Sequence, residues 1–419
     1  MKTLSPLYLA SLYLVLACLF WAGNFIVGKA ASIIDIPPIS LNFYRWFLAW
    51  LILLPFTYKE LLNNKKIIID NIFLMKFSSK LFYWYQKNKR DLPWRETKDP
   101  YKIWISEVIL QQTRVNQGLP YYIKFLEKYP SLNELSLAKE KEVLLLWQGL
   151  GYYKRAINLL ESAKKIAKTN NGIFPNKFND ILKIKGVGDY TASAISSICF
   201  NEKEVVVDGN VFRFISRLFG IKRDITLKST FVFFKKKLKL LIKNSNPGDF
   251  NQALMEFGAL QCLPNKPLCY SCIFKLECKA YLMNDIKSYP QKKMKKFKKE
   301  RFFNYIVISS NKKLIFRKRV GTDIWKNLYE FPLIQGNHSD LNQIVNKKEF
   351  NVLTNKMKKP PRFLQVIDVK HILTHQILKI KFWIFDSEGC LNNTLSINEI
   401  IDLPKPAVIS DFINKHLNT

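Results

Sequence analysis

The sequence predicts a mainly α-helical protein that begins with an apolar helical hairpin and ends in a C-terminal α+β domain. Three features of its 419 residues predict this architecture. Residues 1–74 contain two long apolar stretches, residues 75–284 follow helical periodicity, and residues 302–419 contain strand-like runs rich in β-branched and aromatic side chains. Residues 285–301 are rich in lysine, which is typical of an exposed, mobile linker.

The apolar stretches of the N-terminal region run from Pro6 to Val27 and from Ile36 to Tyr58, and each is long enough to cross a bilayer. Lys2 precedes the first and Lys59 follows the second, so the positive-inside rule places both ends in the cytosol. We therefore predict two transmembrane helices within residues 1–74, with membrane contact only if these residues are translated. A buried helical hairpin is the alternative.

Near Met75 the sequence changes to a pattern typical of soluble protein. The preceding segment Phe20–Lys29 resembles the opening of an EamA-type drug/metabolite transporter, but such transporters need many more helices than two. We expect residues 1–74 to be a fused fragment or a wrongly extended reading frame.

The charge balance favours a polyanionic partner. The chain has 66 Lys and Arg against 33 Asp and Glu, a formal net charge of +33, and 48% apolar residues, which is enough for packed cores. A positive charge of this size attracts nucleic acid over long range. A general lysine bias of the proteome is the alternative explanation. The length suggests two or three domains.

Four cysteines, Cys262, Cys269, Cys272 and Cys278, form a C-x6-C-x2-C-x5-C run. Thiolates at this spacing suit one soft metal centre better than two disulfides. Only Cys269 and Cys272 have the spacing of a zinc knuckle, so we favour a [4Fe–4S] cluster over zinc, with disulfides as a third option. The remaining cysteines are scattered, which is typical of a reducing compartment such as the cytoplasm.

Residues Ile181–Ala194 predict a helix, a hairpin and the start of a second helix. Gly186 and Gly188 let backbone NH groups approach a phosphate, and the following helix N-terminus adds a favourable dipole. An ordinary interhelical turn is the alternative for G-x-G alone. Together with Val207–Val211, the segment resembles the helix-hairpin-helix DNA glycosylase superfamily, although Lys185 stands where that family usually has proline.

Further motifs follow the pattern of MutY-type adenine DNA glycosylases, in order, within residues 75–385. They are Leu92–Arg95, Trp104–Thr113, Trp147–Tyr153, Asp208–Asn210, Ala253–Ala259 and Ile324–Pro332. The resemblance implies two helical lobes, a cluster loop over 262–278, and a monomer that binds double-stranded DNA. The implied reaction is hydrolysis of the N-glycosidic bond of adenine mispaired with 8-oxoguanine or guanine, in base excision repair.

Glu107 is the predicted general acid. If residues 103–113 are helical, the neighbours of Glu107 one turn away are mostly apolar, and such surroundings raise a carboxyl pKa toward neutrality. A solvated helix carboxylate is the usual alternative for a lone Glu. The resemblance implies that Glu107 protonates the departing adenine, that Asp208 stabilises the sugar cation, and that Asn210 orients Asp208 or the water.

Tyr190 separates two related chemistries. In endonuclease III-like relatives, a lysine at the matching position forms a Schiff base and cleaves the DNA backbone. Tyr190 has no amine, so the resemblance implies base excision without strand cleavage. Its hydroxyl is expected to hydrogen-bond within the catalytic pocket.

The resemblance also implies a set of substrate-binding residues. Those matching the pocket around the flipped adenine are Glu256, Arg95 and Trp94, and those matching groups inserted into the duplex are Gln111, Gln112 and Tyr152. Filling the duplex offsets the cost of taking a base out of the stack. Packing or helix capping is the alternative role for each pocket residue, and a position in the core is the alternative for Tyr152.

The C-terminal region resembles the Nudix-related module that recognises 8-oxoguanine. The family's recognition loop carries Phe-Ser-His, whereas this chain has Leu373, Thr374 and His375, so the hydroxyl and imidazole are kept and the aromatic ring is lost. We therefore expect weaker mismatch discrimination than usual. We expect no nucleotide hydrolysis, because the Glu-rich Nudix signature is missing.

Three rival functions follow from the same residues: a bifunctional endonuclease III-like glycosylase/lyase, a membrane-anchored DNA-binding protein, and a catalytically silent DNA-binding module. Tyr190 and the C-terminal domain disfavour the first. The second depends on translation of residues 1–74. The presence of both Glu107 and Asp208 disfavours the third.

Overall fold

The computed structural model describes residues 43, 46, 47, 51, 76–243, 245–292, 298–321, 323–355, 357, 359–388 and 394–417. The chain divides into two compact units, residues 1–76 and 77–419. The hairpin predicted for residues 1–74 lies outside the described residues, apart from the four isolated positions. Among the residues described, no helix is both long and apolar enough to span a membrane.

Residues 76–282 are helical, as predicted. The helices are α1 (residues 76–88), α2 (Pro100–Leu110), α3 (Val115–Lys128), α4 (Leu132–Leu137), α5 (Glu140–Leu146), α6 (Lys154–Thr169), α7 (Phe178–Ile181), α8 (Asp189–Phe200), α9 (Gly209–Phe219), α10 (Lys228–Leu241), α11 (Pro247–Leu260) and α12 (Lys279–Leu282), with a 3-10 turn at Pro93–Arg95. Many of the helices that pack together are not consecutive along the chain, among them α4 with α6, α8 with α11 and α9 with α11.

Side-chain caps fix where two of these helices begin. Asp99 accepts a hydrogen bond from the Tyr101 NH (2.9 Å) at the start of α2, and Asn246 accepts one from the Asp249 NH (3.0 Å) at the start of α11. A proline follows each cap directly. The caps satisfy amide groups that have no partner inside the helix, and proline at the first helical position has no NH to satisfy.

Large aromatic side chains fill the helical core. Trp104 and Trp147 are fully buried, and the ring of Phe125 meets Trp147 edge-on with 6.1 Å between centroids. Leu328, from the C-terminal part of the chain, packs into the same cluster. The helical region and the C-terminal domain therefore share part of one core.

The C-terminal domain is a mixed sheet flanked by short helices. Its strands are β1 (Lys299–Ser310), β2 (Lys313–Ile315), β3 (Arg317–Lys318), β4 (Tyr329–Glu330), β5 (Leu333–Gln335), β6 (Arg362–Ile372), β7 (Gln376–Asp386) and β8 (Thr394–Ser396), and its helices are α13 (Leu341–Val345), α14 (Lys348–Thr354), α15 (Ile397–Ile401) and α16 (Ala407–His416). The main sheet has the order β6-β7-β1-β2-β8, with β5 also paired to β1. Only β1 and β7 run parallel among its described pairs.

Alternation along β1 gives the sheet two apolar faces. Phe303, Tyr305 and Val307 pack toward α16, whereas Ile306 and Ile308 pack toward α13 and α14. Successive side chains of a strand point to opposite faces, so one strand contributes to both layers. The predicted class, a mainly helical protein with a C-terminal α+β domain, is confirmed.

The junction between the two regions differs from the predicted linker of residues 285–301. Tyr289 is buried, and Gln291 forms a β-bridge with Asp224 of the helical region. Strand β1 begins at Lys299, because residues from there onward pair with β7. The two ends of the predicted linker, residues 285–301, are therefore held by packing and by strand pairing, although its charge pattern predicts an exposed and mobile segment.

The packing of α16 on the sheet should dominate the stability of the C-terminal domain. Phe412 is buried and stacks on Phe382 with 3.8 Å between ring centroids. We expect Phe412→Ala to lower the free energy of unfolding by about 3–5 kcal/mol, because it removes a buried aromatic ring and leaves a cavity. Urea unfolding followed by circular dichroism measures this change.

Val352→Ala, at an exposed position of α14, is the matched control and should change the free energy of unfolding by less than about 0.5 kcal/mol. Equal effects of the two substitutions would contradict the proposed packing.

Candidate functional site

Helix α2 carries Glu107 on a face that is buried against the rest of the helical region. The residue is 8% exposed, and Ile103, Trp104 and Val108 around it are buried as well. Burial raises the pKa of Glu107 to about 7, an interaction with the Tyr190 hydroxyl lowers it, and the Asp208 carboxylate raises it further. A carboxyl with this pKa can hold a proton near neutral pH and release it to a reacting group.

Asp208 lies at the N-cap of α9. Its Oδ1 accepts a hydrogen bond from the Val211 NH (2.7 Å), and its Oδ2 accepts one from Asn210 Nδ2 (2.7 Å). Burial raises the pKa of Asp208, while these hydrogen bonds lower it and favour the charged form. Asn210 therefore orients the carboxylate, which is one of the two roles the sequence predicts for it.

Tyr190, in the first turn of α8, completes this group. Its hydroxyl donates to the sulfur of Met255 (3.4 Å) and interacts with Glu107 and Asp208. Burial raises the pKa of Tyr190 well above its ordinary value, so the phenol stays protonated. Two carboxyl groups of different environment beside a neutral phenol can supply one acid and one anion to a glycosidic bond.

Glu256 on α11 is held by two arginines. Its carboxylate accepts hydrogen bonds from Arg90 Nη2 (2.6 Å) and Arg95 Nη2 (2.7 Å), and its side chain is 1% exposed. Burial alone raises the pKa of Glu256, but the hydrogen bonds from Arg90 and Arg95 outweigh it and bring the pKa to about 2. The structure thus brings together the predicted pair Arg95 and Glu256, and it adds Arg90, which the sequence motifs do not include.

Trp94 lies between these groups in the chain but faces the core. Its side chain is buried, and its ring meets Tyr122 edge-on with 5.1 Å between centroids. Trp94 therefore packs in the wall of the site, which corresponds to the alternative that the sequence left open for it.

Arginines of α9 connect the catalytic group to the cysteine loop. Arg213 Nη2 donates to Asn210 Oδ1 (2.9 Å), and Arg213 Nε donates to the Cys262 carbonyl (2.7 Å). One turn further on, Arg217 Nη1 donates to the Cys262 sulfur (3.4 Å) and to the Leu263 carbonyl (2.7 Å). A continuous chain of hydrogen bonds thus runs from the cysteine loop to Asp208.

The four cysteines of the loop line a single cavity. Cys262, Cys269, Cys272 and Cys278 share its wall with Arg217 and the aromatic side chains Phe214, Phe257 and Phe274. Within the described part of the chain, no three His, Cys, Asp or Glu side chains are close enough together to hold one metal ion. A cluster of several irons separates its cysteine ligands more than a single ion does, and the shared, cation-bordered cavity fits such a group.

Two residues at predicted duplex-inserting positions have strained backbones. Gln112 (φ 59°) and Tyr152 (φ 47°) both adopt the left-handed conformation that side chains disfavour. Both are exposed, whereas Gln111 is half-buried and its Nε2 donates to Thr191 Oγ1 (3.3 Å). Strain of this kind costs about 1–3 kcal/mol per residue and is typical of functional sites.

The predicted phosphate-binding hairpin has the expected backbone. Gly186 (φ 84°) adopts a conformation that favours glycine, and Gly188 is the N-cap of α8. Both glycines are exposed, so backbone NH groups at this turn are accessible.

The C-terminal domain places its β6–β7 turn against the helical region. Thr374 and His375 are exposed in this turn, and the Thr374 hydroxyl is in hydrogen-bonding contact with that of Tyr152. The backbone of Lys405 also meets the same loop, because its NH donates to Gln148 Oε1 (3.3 Å) and its carbonyl accepts from the Tyr153 hydroxyl (3.3 Å). The loop that carries Tyr152 is therefore a joint between the two regions.

Family models match both regions of this architecture. The model described as HhH-GPD superfamily base excision DNA repair protein matches residues 105–239, and a NUDIX domain model matches residues 304–415. An EamA-like transporter family model matches residues 8–86, most of which lie outside the described residues.

Curated relatives match a larger share of the chain than either the HhH-GPD model or the NUDIX model does. The adenine DNA glycosylase of Buchnera aphidicola subsp. Acyrthosiphon pisum is 38% identical over 277 residues, covering 65% of this chain and 78% of the relative. That of Buchnera aphidicola subsp. Baizongia pistaciae is 35% identical over 345 residues, covering 79% of this chain and 94% of the relative. The chain belongs to the adenine DNA glycosylase family. The Homo sapiens member is 40% identical over 213 residues, which cover 49% of this chain and 39% of that protein.

Membership of the adenine DNA glycosylase family confirms the predicted superfamily and the prediction of an enzyme. Sequence reasoning missed three arginines that hold the site together: Arg90 at Glu256, Arg213 at Asn210, and Arg155, which contacts the loops around Gln112 and Tyr152. Each is one cation among 66 Lys and Arg, so composition gives no signal for it. Arg155 lies two positions after the Trp147–Tyr153 motif, with Lys154 between them, and this proximity is the only hint that the sequence gives.

The protonation of Glu107 can be measured directly. Isotope-edited infrared spectroscopy should detect its protonated carboxyl band titrating at about pH 7, and the band should be absent in Glu107→Gln. Tyr190→Phe should move the titration to higher pH, because it removes the interaction that lowers the pKa. Between pH 4.5 and about 7 the folded protein holds a proton that the unfolded chain has lost, so this group lowers the free energy of unfolding as pH rises.

A Glu107 carboxyl that titrates near 4.5 would contradict this burial-based assignment. Glu388→Gln, at an exposed position, is the matched control and should leave the Glu107 band unchanged.

Proposed function

We propose that this chain hydrolyses the N-glycosidic bond of adenine mispaired with 8-oxoguanine or guanine in duplex DNA. The observation that carries the proposal is a buried Glu107, with a pKa raised to about 7, and a hydrogen-bonded Asp208, both of which interact with Tyr190. The family supports it, since its curated members are named adenine DNA glycosylase. The partner is DNA, in keeping with the net charge of +33.

In the proposed mechanism, Glu107 gives its proton to the departing adenine, so that the base leaves as a neutral molecule. The Asp208 carboxylate, oriented by Asn210, stabilises the positive charge that develops on the sugar. Once it has lost its proton, Glu107 can accept one from the attacking water. Tyr190 keeps its proton and hydrogen-bonds within the pocket.

The same geometry disfavours a lyase step at the position of Tyr190. Schiff-base chemistry needs an amine next to the sugar, and Tyr190 supplies a phenol that burial keeps protonated. Its hydroxyl donates to the sulfur of Met255 (3.4 Å) and interacts with the Glu107 carboxyl. We therefore propose release of free adenine and an intact abasic strand.

We propose that Arg95 and Glu256, with Arg90, form the polar wall that binds the extruded adenine. The Glu256 carboxylate accepts five hydrogen bonds from Arg90 and Arg95, so its lone pairs are filled and its part in this wall is to fix the two guanidinium groups. Trp94 supports this wall through its packing on Tyr122.

We propose that the opposite base is read by the β6–β7 turn of the C-terminal domain. Thr374 and His375 are exposed there, and Thr374 adjoins Tyr152, one of the residues assigned to duplex insertion. A hydroxyl and an imidazole can hydrogen-bond to the oxo group and amide edge of 8-oxoguanine. Gln111 and Gln112 are proposed to fill the space left by the flipped adenine.

We propose that Cys262, Cys269, Cys272 and Cys278 hold a [4Fe–4S] cluster, which would fix the loop over residues 262–278. The shared cavity and the hydrogen bond from Arg217 to the Cys262 sulfur support this assignment. Hydrogen bonds to a ligating sulfur are typical of such sites. Lys266, exposed in the same loop, is then available to contact phosphate.

Cytoplasmic location, the monomeric state and any membrane contact of residues 1–74 stay predictions from the sequence. Membrane contact has no support in the described residues and is not part of the proposed function.

The mechanism is tested by single-turnover excision from a duplex with one A:8-oxoG pair. Glu107→Gln should bind the duplex like the wild type but release adenine about two to four orders of magnitude more slowly, because it cannot donate the proton. The wild-type rate should fall as pH rises through about 7, as Glu107 loses its proton. Borohydride should trap no covalent complex, and the product strand should break only after alkali.

Glu134→Gln, in the capping box of α4 and remote from this group, is the matched control and should keep the wild-type rate. Excision by Glu107→Gln at a rate within twofold of the wild type would remove Glu107 from its role, whereas efficient borohydride trapping of the wild type would make the enzyme bifunctional.

The cluster is tested by metal content. Protein purified without oxygen should be brown and contain about four irons per chain. Cys269→Ser should lose iron and DNA affinity, whereas Cys199→Ser, at a cysteine outside the loop, should keep both. Stoichiometric zinc without iron would contradict the assignment.

A further inference from the structure

The two strained residues of the DNA-facing surface share one neighbour. Gln112 and Tyr152 belong to separate loops, one after α2 and one before α6, yet both have left-handed backbones. A side chain other than glycine stays in this conformation only where the surrounding structure holds it there. The neighbour that reaches both loops is Arg155, in the first turn of α6.

The guanidinium of Arg155 donates to the carbonyl that precedes each strained residue. Its Nη1 donates to the Gln111 carbonyl (2.5 Å), and its Nη2 donates to the Gly151 carbonyl (3.1 Å). Those carbonyls belong to the peptide groups whose nitrogens are those of Gln112 and Tyr152. Fixing the two peptide groups restricts the φ angle of the residue that follows each of them.

Further contacts of the same group reach the catalytic helix. Arg155 Nη1 also donates to the carbonyls of Val108 (2.8 Å) and Ile109 (2.9 Å), which lie at the C-terminal end of α2 just after Glu107. These carbonyls have no partner further along the helix, and a cation at this end is favoured by the helix dipole. Arg155 therefore anchors the insertion loops to the helix that carries the general acid.

Arg155 also contacts the aromatic rings of Tyr152 and Trp147. Its guanidinium carbon lies 5.7 Å from the ring centroid of Tyr152 and 5.3 Å from that of Trp147. Trp147 is fully buried, so the guanidinium is supported from the core while it lies against the exposed tyrosine. Cation–π contact at this distance orients the Tyr152 ring as well as its backbone.

We propose that Arg155 is a positioning residue that holds the loops of Gln112 and Tyr152 as one preformed wedge for base extrusion. The inference rests on the proposed function, since it takes these two residues to enter the duplex. Arg155 does not touch the reacting atoms, so its loss should slow extrusion and leave cleavage of the glycosidic bond unchanged once adenine is in the pocket.

Only arginine can fill this position. The planar guanidinium has five donors in a fixed fork and can serve both loops and the end of α2 together. A lysine ammonium has three donors on a single nitrogen, so it cannot reach the separate loops and the end of α2 at the same time. The excision rate of Arg155→Lys should therefore lie between the rates of the wild type and of Arg155→Met.

The test compares two duplexes with the same A:8-oxoG pair, one with paired neighbours and one with mismatched neighbours. Extrusion costs less from the second duplex, because the stack is already weakened. Under single-turnover conditions, Arg155→Met should be slower than wild type by about a hundredfold on the first duplex, the usual effect of misplacing positioning groups, and by less than about tenfold on the second. Fluorescence of 2-aminopurine beside the adenine should report less unstacking with the variant.

Lys154→Met is the matched control, since it removes an adjacent exposed cation. It should slow excision from both duplexes equally and only slightly. Thermal unfolding of each variant separates loss of fold from loss of positioning, and Arg155→Lys carries the test if Arg155→Met does not fold. An equal deficit on the two duplexes, or none, would overturn the inference. Failure of the wild type to release adenine from either duplex would instead refute the proposed function.

Discussion

Helix α2 has to satisfy two opposed requirements, and much of the surrounding structure depends on how it does so. Glu107 must be shielded from water for its pKa to rise to about 7, which requires apolar neighbours on nearly every side of the helix. The helix must nevertheless end at the surface, where Gln111 and Gln112 lie. Its last carbonyls would be left without partners at this boundary, and Arg155 supplies the donors.

Arginine side chains, rather than lysines, connect the separate parts of the site. Arg90 and Arg95 neutralise the buried Glu256, Arg213 joins Asn210 to the cysteine loop, and Arg155 joins two loops to α2. Arg90 donates to both oxygens of Glu256, whereas Arg95, Arg155 and Arg213 each donate to oxygens from separate segments. The fixed fork of the guanidinium suits this task, because little conformational freedom is lost for each hydrogen bond formed.

The loop after Trp147 joins the helical region to the C-terminal domain. Gln148 and Tyr153 hold the backbone of Lys405, and Tyr152 contacts Thr374. The Lys405 side chain is itself buried, and its Nζ donates to the Ile400 and Leu403 carbonyls at 2.9 and 2.8 Å, which ties α15 to the same joint. The residue proposed to enter the duplex therefore contacts the C-terminal domain directly.

The sequence by itself determined the fold class, the family and the identity of the chemical groups. Helical periodicity, strand alternation and the ordered motifs around Glu107, Tyr190 and Asp208 are local features. Each depends on residues that are close together in the sequence. The absence of an amine at Tyr190 and the run of four cysteines are likewise properties of the sequence alone. The start of β1 at Lys299 was missed, because its pairing with β7 comes from residues about 75 positions away.

Only the tertiary structure decided what each group can do. The raised pKa of Glu107 depends on helices distant in sequence that exclude water from it, and Trp94 proved to face Tyr122 in the core. Arg155 and Arg213 each also donate to a carbonyl more than 40 positions away, a partner that no spacing rule can identify. Charge and hydrogen-bonding capacity belong to the residue, but burial and partners are properties of the folded chain.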